Sequence, residues 1–465
     1  MFCGMLEKLL YLVYDVEKNN NLGEMKMKKN MDLIFRNVSM VNVYKNRIDS
    51  ISCIGVKDGK IAYMGEKDDN ILGERVVDCS KMVMMPGLYN CHTHTPMSLL
   101  RGIEDNSVLQ TWLKSYIFPA ENYFREKKDA IYWASLLSIA DMISSGIVSF
   151  SDMYFNMFEI AEAVFESGIK ANLCNPIICQ RDSMFSYYQD DSYTQTIEAI
   201  EKYKSDEKIR IDVGIHAEYS SYPEAWNQVV GFALEKGLGL QIHVSETQKE
   251  HRECIDRYGI TPTEKLSRCG VFDCHTTIAH GVWLEKNDIE LLQEKDVTLV
   301  NNPISNLKLA SGIANVKSWL DADINVTLGT DSVASNNSYD IFEEMKMCSL
   351  LQKNLYKNPM ILPPYEIIKM ATVNGAYAQG RDADSGKIEV GYDADLLLLD
   401  FNNVRQNISY DYMSNIIFSC TARDVYMTMC KGKILYENGE YKTIDIERVM
   451  HETKKLVNDY KFVLG

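Results

Sequence analysis

No stretch of this chain stays apolar for the roughly 20 residues that a membrane-spanning helix needs, so a soluble protein is expected. The apolar segment Leu6 to Val16 carries Glu7 and Asp15 and lacks a small-residue cleavage site, which argues against a signal peptide and for the cytoplasm. Positive charge is also in deficit: 49 lysines and arginines against 65 acids leave a formal net charge of −16. A nucleic-acid polymer is thereby disfavoured as a partner, while small molecules stay open. The twelve cysteines are scattered, with no C-x-x-C pair, so reduced buried thiols are expected rather than disulfides or a thiolate metal site. Dinucleotide and phosphate loops are missing too: "GLGL" at Gly237 lacks a third glycine and leads into a strand, and no Walker loop occurs. "H-A-E" at His216 to Glu218 imitates the cytidine-deaminase motif, but its P-C-x-x-C partner is absent.

What is present is length and alternation. A chain of 465 residues exceeds one ordinary core, so a large domain and a smaller one are expected. Residues 1–30 are rich in Asn, Lys and Met and read as an extension, with Met25, Met27 or Met31 as possible alternative starts. Short β-type runs with hairpin turns fill 31–85, including Asp58-Gly59, and return over 385–440 with Lys431-Gly432 and Asn438-Gly439. The two ends are expected to build one sheet together. Between them, strand-like runs near 83–91, 147–152, 169–177, 209–217, 238–245, 276–281, 297–302 and 324–331 alternate with amphipathic helical stretches. Eight such units over 86–384 predict a (β/α)8 TIM barrel, with 441–465 as a C-terminal helix.

Only eight histidines occur, and His92, His94, His216, His243 and His280 all fall at the C-terminal ends of predicted strands. Barrel active sites are built on that face. Asp331 joins them at the end of "VTLGTDS". His92 and His94 are one residue apart, so on an extended strand both rings point the same way and can share a metal. With His243 and Asp331 they make three imidazoles and a carboxylate, a set that suits Zn²⁺ and tolerates Fe²⁺ or Mn²⁺. Glu246 follows His243 by three residues, placing a carboxylate beside such a metal in the position of a proton shuttle.

The ordered motifs "PGLYNCHTH", "MSLLRG", "HVSET", "AHGV", "NPISNLKLASG" and "GTDS" resemble the amidohydrolase superfamily, in its branch of methylthioadenosine/S-adenosylhomocysteine deaminases and chlorohydrolase-like enzymes. The resemblance covers about Asp32 to Gly439. It implies an α/β barrel with a composite β-sandwich domain from both chain ends and one divalent metal, zinc first and iron second, on His92, His94, His243 and Asp331. It further implies hydrolytic release of ammonia from an adenine-type nucleoside by water that the metal activates. Asp331 would take the water's proton, Glu246 would protonate and bind the ring, and His280 would stabilise the developing oxyanion. Glu121, in "WLKSYIFPAE", matches the glutamate that binds ribose hydroxyls, and His216 matches a substrate-contacting histidine. Trp112 is a candidate apolar wall.

The chain departs from that pattern after its third strand, where "ANLCNPIICQRDSMF" offers only Arg181 for a homocysteine carboxylate. A methylthio tail or plain adenosine therefore competes with S-adenosylhomocysteine. Glu218 stands where a proline is common, predicting a differently shaped fourth loop. The rival substrate class is a free base such as guanine, or an amino- or chloro-triazine, on the same scaffold. A binuclear site is not expected, because "RIDVGIHA" supplies no bridging lysine. A homo-oligomer is compatible with all of this.

Overall fold

The computed structural model describes residues 29–179 and 185–464. Most of the expected N-terminal extension, with Met25 and Met27, lies outside these residues, as does Arg181. None of the described helices is long and apolar enough to cross a membrane.

Both ends of the chain feed one nine-stranded mixed sheet, as their turn patterns predict. Leu396–Asp400 runs antiparallel between Met82–Pro86 and Val425–Cys430, so C-terminal and N-terminal strands meet edge to edge. Lys29–Asn42 pairs along its length with Arg47–Lys57, and its other edge is shared by Ile71–Asp78 and Met82–Pro86. The Asp58-Gly59 turn has φ of 50° and 79°, and Lys431-Gly432 has 46° and 73°. Paired positive φ values are those of the two-residue turn that matches strand twist. The two turns also touch, since a Cβ on Gly432 would lie 2.7 Å from the Gly59 Cα. Leu33, Phe35, Ile54, Ile61, Leu396 and Met427 give this sheet a hydrophobic core of its own.

The middle of the chain forms two sheets in which every pairing is parallel. One contains Leu88–Thr93, Ile147–Met153, Lys170–Cys174 and Ile209–Ile211. The other contains Pro176–Ile177, Val213–Ala217, Leu240–Val244, Thr276–His280, Val297–Asn301 and Asn325–Leu328. Four of the expected strand runs need correction. The run 83–91 is two strands in different sheets, separated at Gly87, where a Cβ would meet Val148 Cγ1 at 2.3 Å. The runs 169–177 and 209–217 are each interrupted, at Asn175 and Asp212, as their neighbours change from one sheet to the other. Strand 324–331 stops at Leu328, so Asp331 sits in the loop beyond it.

Helices Lys128–Ser144, Met157–Ser167 and Pro223–Lys236 bury apolar faces in the main core with the parallel strands. The expected C-terminal helix spans Ile446–Leu464, and its Tyr460 ring lies 4.9 Å from Tyr123 and 5.1 Å from Phe124.

One buried ion cluster fastens the parallel strands to the mixed sheet. Lys170 Nζ donates to Asp395 Oδ2 at 2.6 Å, Asp393 Oδ2 at 2.8 Å and Ser385 Oγ at 2.8 Å. Burial alone would raise the Asp393 carboxyl, but Lys170 and Lys60 outweigh it and bring it down to about 2. Its contribution to stability is therefore full above about pH 4, the unfolded value, and is lost as pH falls through about 2. Lys170→Met would leave two buried carboxylates without this cation. It is expected to destabilise the fold by about 3–5 kcal/mol in urea denaturation, and a loss under about 1 kcal/mol would contradict that role.

Candidate metal centre

The five strand-end histidines do not all converge equally. His92 is the hub: its ring centroid lies 4.9 Å from His94, 4.7 Å from His243 and 5.4 Å from His280. His216 stands behind His243 at 5.0 Å. Asp331 Oδ1 faces the group, 3.4 Å from His94 Nε2 and 3.8 Å from His92 Nε2. Among the described residues two sets bring potential ligand atoms within 4.8 Å of one another: His92, His94 and Asp331, and His92, His243 and His280.

Backbone carbonyls fix two of these rings. His94 Nδ1 lies 2.7 Å from the Met153 carbonyl and His243 Nδ1 lies 2.7 Å from the His216 carbonyl. A carbonyl can only accept, so both rings carry a proton on Nδ1, which leaves Nε2 as the nitrogen a metal would take. His92 Nε2 is buried and has no hydrogen-bond partner. Such an orphan is costly unless a further group completes it. Burial, reinforced by neighbouring imidazoles, holds His92 and His243 far below the ordinary histidine range, so both are neutral. Neutral imidazoles, an orphaned nitrogen and a carboxylate oxygen fit a divalent cation.

Asp331 is placed by its backbone as much as by its side chain. It has φ of 60°, and its N–H donates to the His92 carbonyl at 2.9 Å, tying the loop after Asn325–Leu328 to strand Leu88–Thr93. Oδ2 accepts from Ser305 Oγ at 2.6 Å and Ser335 Oγ at 3.0 Å, while Oδ1, on the side of the histidines, accepts from the Ser332 amide at 2.6 Å. His280, at φ of 74°, gives its Nδ1 to Asn306 Oδ1 at 2.9 Å. Burial would lower its proton affinity, but Glu246 and Asp331 outweigh that and raise it. Burial also raises Glu246, with Asp331 adding to the effect and His280 opposing it. Ser311 Oγ lies 3.4 Å from Glu246 Oε1.

A cavity of about 480 Å³ opens on this group, with His94, His216, His243, Glu246, His280 and Asp331 among its lining residues. Its volume is ordinary for a small-molecule site. Glu121 lines the same cavity from helix Phe118–Arg125, and burial raises its carboxyl while the Tyr154 hydroxyl lowers it. That helix is preceded by a π-helical turn, Leu113–Ile117, a distortion frequent at functional sites. Trp112 is a cavity wall, and its indole N–H is spent on the Glu104 carbonyl at 3.0 Å. Burial brings His216 down to about 4, so it too is neutral, with Nδ1 3.0 Å from Ser220 Oγ. Glu218 turns away from the cavity into a buried pairing with Lys265 at 2.7 Å and Arg257 at 2.9 Å.

Sequence reasoning did not identify the supporting shell. Ser305, Asn306 and Ser311 belong to "NPISNLKLASG", which carried the resemblance without assigned roles. Asp152 is a further such residue, with no role assigned from sequence. It accepts from the Thr95 amide at 2.6 Å and Thr93 Oγ1 at 3.0 Å, on either side of His94. An acid ending an apolar strand, in "IVSFSDM", was the available signal.

The amidohydrolase family model matches residues 83–435. A 5-methylthioadenosine/S-adenosylhomocysteine deaminase of Thermoanaerobacter pseudethanolicus is 38% identical across 91% of this chain and 98% of its own length. A 5'-deoxyadenosine deaminase of Methanobrevibacter smithii is 37% identical, covering 87% and 93%. Among solved structures, a zinc-bound adenosine deaminase from Xanthomonas campestris superposes with a TM-score of 0.88 at 27% identity, over 93% of this chain and 99% of that one. Matched along most of its length by the family model, and to relatives almost from end to end, this chain belongs to the amidohydrolase family.

Proposed function

We propose that this protein is a hydrolytic deaminase of an adenine-type nucleoside, with 5'-methylthioadenosine, S-adenosylhomocysteine and adenosine as the candidate substrates. The observation that carries the reading is one cavity holding both ends of the required chemistry. Glu246, four of the clustered histidines and Glu121 all line it. A free base such as guanine, or a triazine, would leave Glu121 without sugar hydroxyls to receive, which makes that alternative the weaker one.

In this reading His92, His94, His243 and Asp331 hold one divalent metal, zinc in the first instance. When bound, such an ion supplies a water nucleophile at neutral pH and polarises it for attack. The protein's own groups do the rest. Burial raises the Glu246 carboxyl, which favours the form that can give a proton to a ring nitrogen as electron density collects there. Asp331, with Oδ2 held by two serine hydroxyls and Oδ1 steadied by the Ser332 amide at 2.6 Å, uses the remaining lone pair of Oδ1 to take up the water's proton and relay it to the departing amine. His280, with Nδ1 engaged by Asn306, offers Nε2–H to the developing oxyanion. Neutral His216 contacts the purine from the side, and Glu121 accepts from vicinal ribose hydroxyls.

The same proposal extends to architecture. The hydrogen bond from Asp331 N to the His92 carbonyl, and that from Thr330 N to Asn90 Oδ1 at 3.0 Å, support closure of the two parallel sheets into one eight-stranded barrel. Residues 86–384 would be that barrel, and 31–85 with 385–440 a composite sandwich domain beside it.

Side-by-side ammonia release from the three nucleosides and guanine tests the substrate class, and turnover of guanine alone would overturn it. Glu246→Gln is expected to abolish turnover while metal analysis still finds one ion per chain. Loss of the metal in that variant would reassign Glu246 as a ligand. Glu121→Ala should raise KM for ribosides about 10- to 100-fold, as expected for lost hydrogen bonds to a charged group. Chelation should abolish activity and lower thermal stability by about 3–4 kcal/mol relative to protein with zinc at 100 to 1,000 times its Kd. Both should return with Zn²⁺.

A further inference from the structure

Glu250 is a buried carboxylate that the proposed chemistry leaves unused, and within the described residues it forms no ion pair with a lysine or arginine. It lies at the start of helix Gln248–Tyr258, where it completes a capping box with Thr247. A capping box needs one bond from the glutamate, to the N-cap amide. Here that bond is the longest of three: Thr247 N reaches Oε2 at 3.5 Å. The two short bonds go further back along the chain. Ser245 N donates to Oε1 at 2.9 Å and Glu246 N donates to Oε2 at 2.9 Å.

The amides so held are those of the shuttle residue and the residue before it. Ser245 has φ of 50°, a strained conformation for a residue with a side chain, and it turns the chain out of strand Leu240–Val244. Its other groups are also tied. Ser245 O accepts from Trp283 N at 3.0 Å, and Ser245 Oγ lies 3.1 Å from His251 Nδ1. Trp283 Nε1 donates to the Ser311 carbonyl at 2.8 Å, and Ser311 Oγ contacts Glu246. A helix cap alone explains none of the bonds to residues 245 and 246.

We infer that Glu250 is a positioning residue for the reaction, its carboxylate bridging the amides of Ser245 and Glu246 so that the Glu246 side chain is aimed at the substrate ring. This rests on the proposed role of Glu246. Because the carboxylate uses both oxygens as acceptors, the amide of glutamine cannot replace it: one oxygen would become an NH₂ facing an N–H donor.

Three variants separate positioning from capping. Glu250→Gln is expected to lower kcat on 5'-methylthioadenosine about 10- to 100-fold, the scale of a small misplacement at a reacting group, with KM within about threefold of wild type and metal content intact. Thr247→Ala removes the cap hydroxyl but leaves the bridge, so it should lower Tm and keep kcat within about twofold. Glu250→Asp keeps the charge and shortens the reach. It should lose kcat as the glutamine variant does, and it replaces that variant if the latter does not fold. Native-state hydrogen exchange supplies a readout independent of any substrate. The Ser245 and Glu246 amides should exchange at least about tenfold faster in the Glu250 variants and unchanged in Thr247→Ala. The inference is overturned if the Glu250 variants keep wild-type kcat, if Thr247→Ala loses kcat equally, or if exchange at the two amides does not change. Should the wild-type enzyme turn over none of the nucleosides, the functional reading fails, and the exchange experiment still decides the bridge.

Discussion

Everything in this molecule is arranged around a crowd of imidazoles that cannot be content on their own. The His92 ring lies 4.7 to 5.4 Å from those of His94, His243 and His280, the His243 ring lies 5.4 Å from those of His94 and His280, and the buried His92 Nε2 has nothing to bond. Burial and mutual repulsion keep protons off His92 and His243. Rings in that state would spread or rotate unless each were held from behind. The holding groups are the Met153 and His216 carbonyls, Asn306, and the serines on Asp331. Several of them come from the strand or loop next to the residue they hold, so the parallel pairing of strands and the orientation of these side chains are one constraint.

That constraint explains what could be read from sequence and what could not. Strand-end histidines are visible because an imidazole at the end of an apolar run has few other reasons to be there. The composite sheet was visible through its turns, since Asp58-Gly59, Lys431-Gly432 and Asn438-Gly439 need positive φ and say so in their residue types. The strand edges were less legible. Met82–Pro86 and Leu88–Thr93 are both apolar, and only the close approach of Val148 to Gly87 divides them. Asp331 was assigned to a strand because "NVTLGTD" reads as one, yet the last three residues of that run lie past its end.

The supporting groups were illegible for a different reason. Ser305, Asn306, Asp152 and Glu250 are polar residues near loops, where such residues are common for purely local reasons. Their significance depends on a partner far away in sequence, as with Ser305 and Asp331, 26 positions apart. Glu250 is the sharpest case, because its local role as a helix cap is real and conceals the bonds to Ser245 and Glu246.

The meeting of Leu396–Asp400 with Met82–Pro86 bears on how the chain acquires this structure. Strands made early in synthesis cannot complete their sheet until more than 300 residues later, when the last strands emerge. Lys170, likewise, meets Asp395 only across a separation of 225 residues. Contacts this distant in sequence close large loops and slow folding. During that interval Phe35, Ile54 and Met84, which the finished molecule buries, lack their C-terminal cover of Leu396, Leu398 and Met427. The nascent chain therefore passes through a period in which an apolar sheet edge is open, a consequence of building one sheet from both ends of a polypeptide.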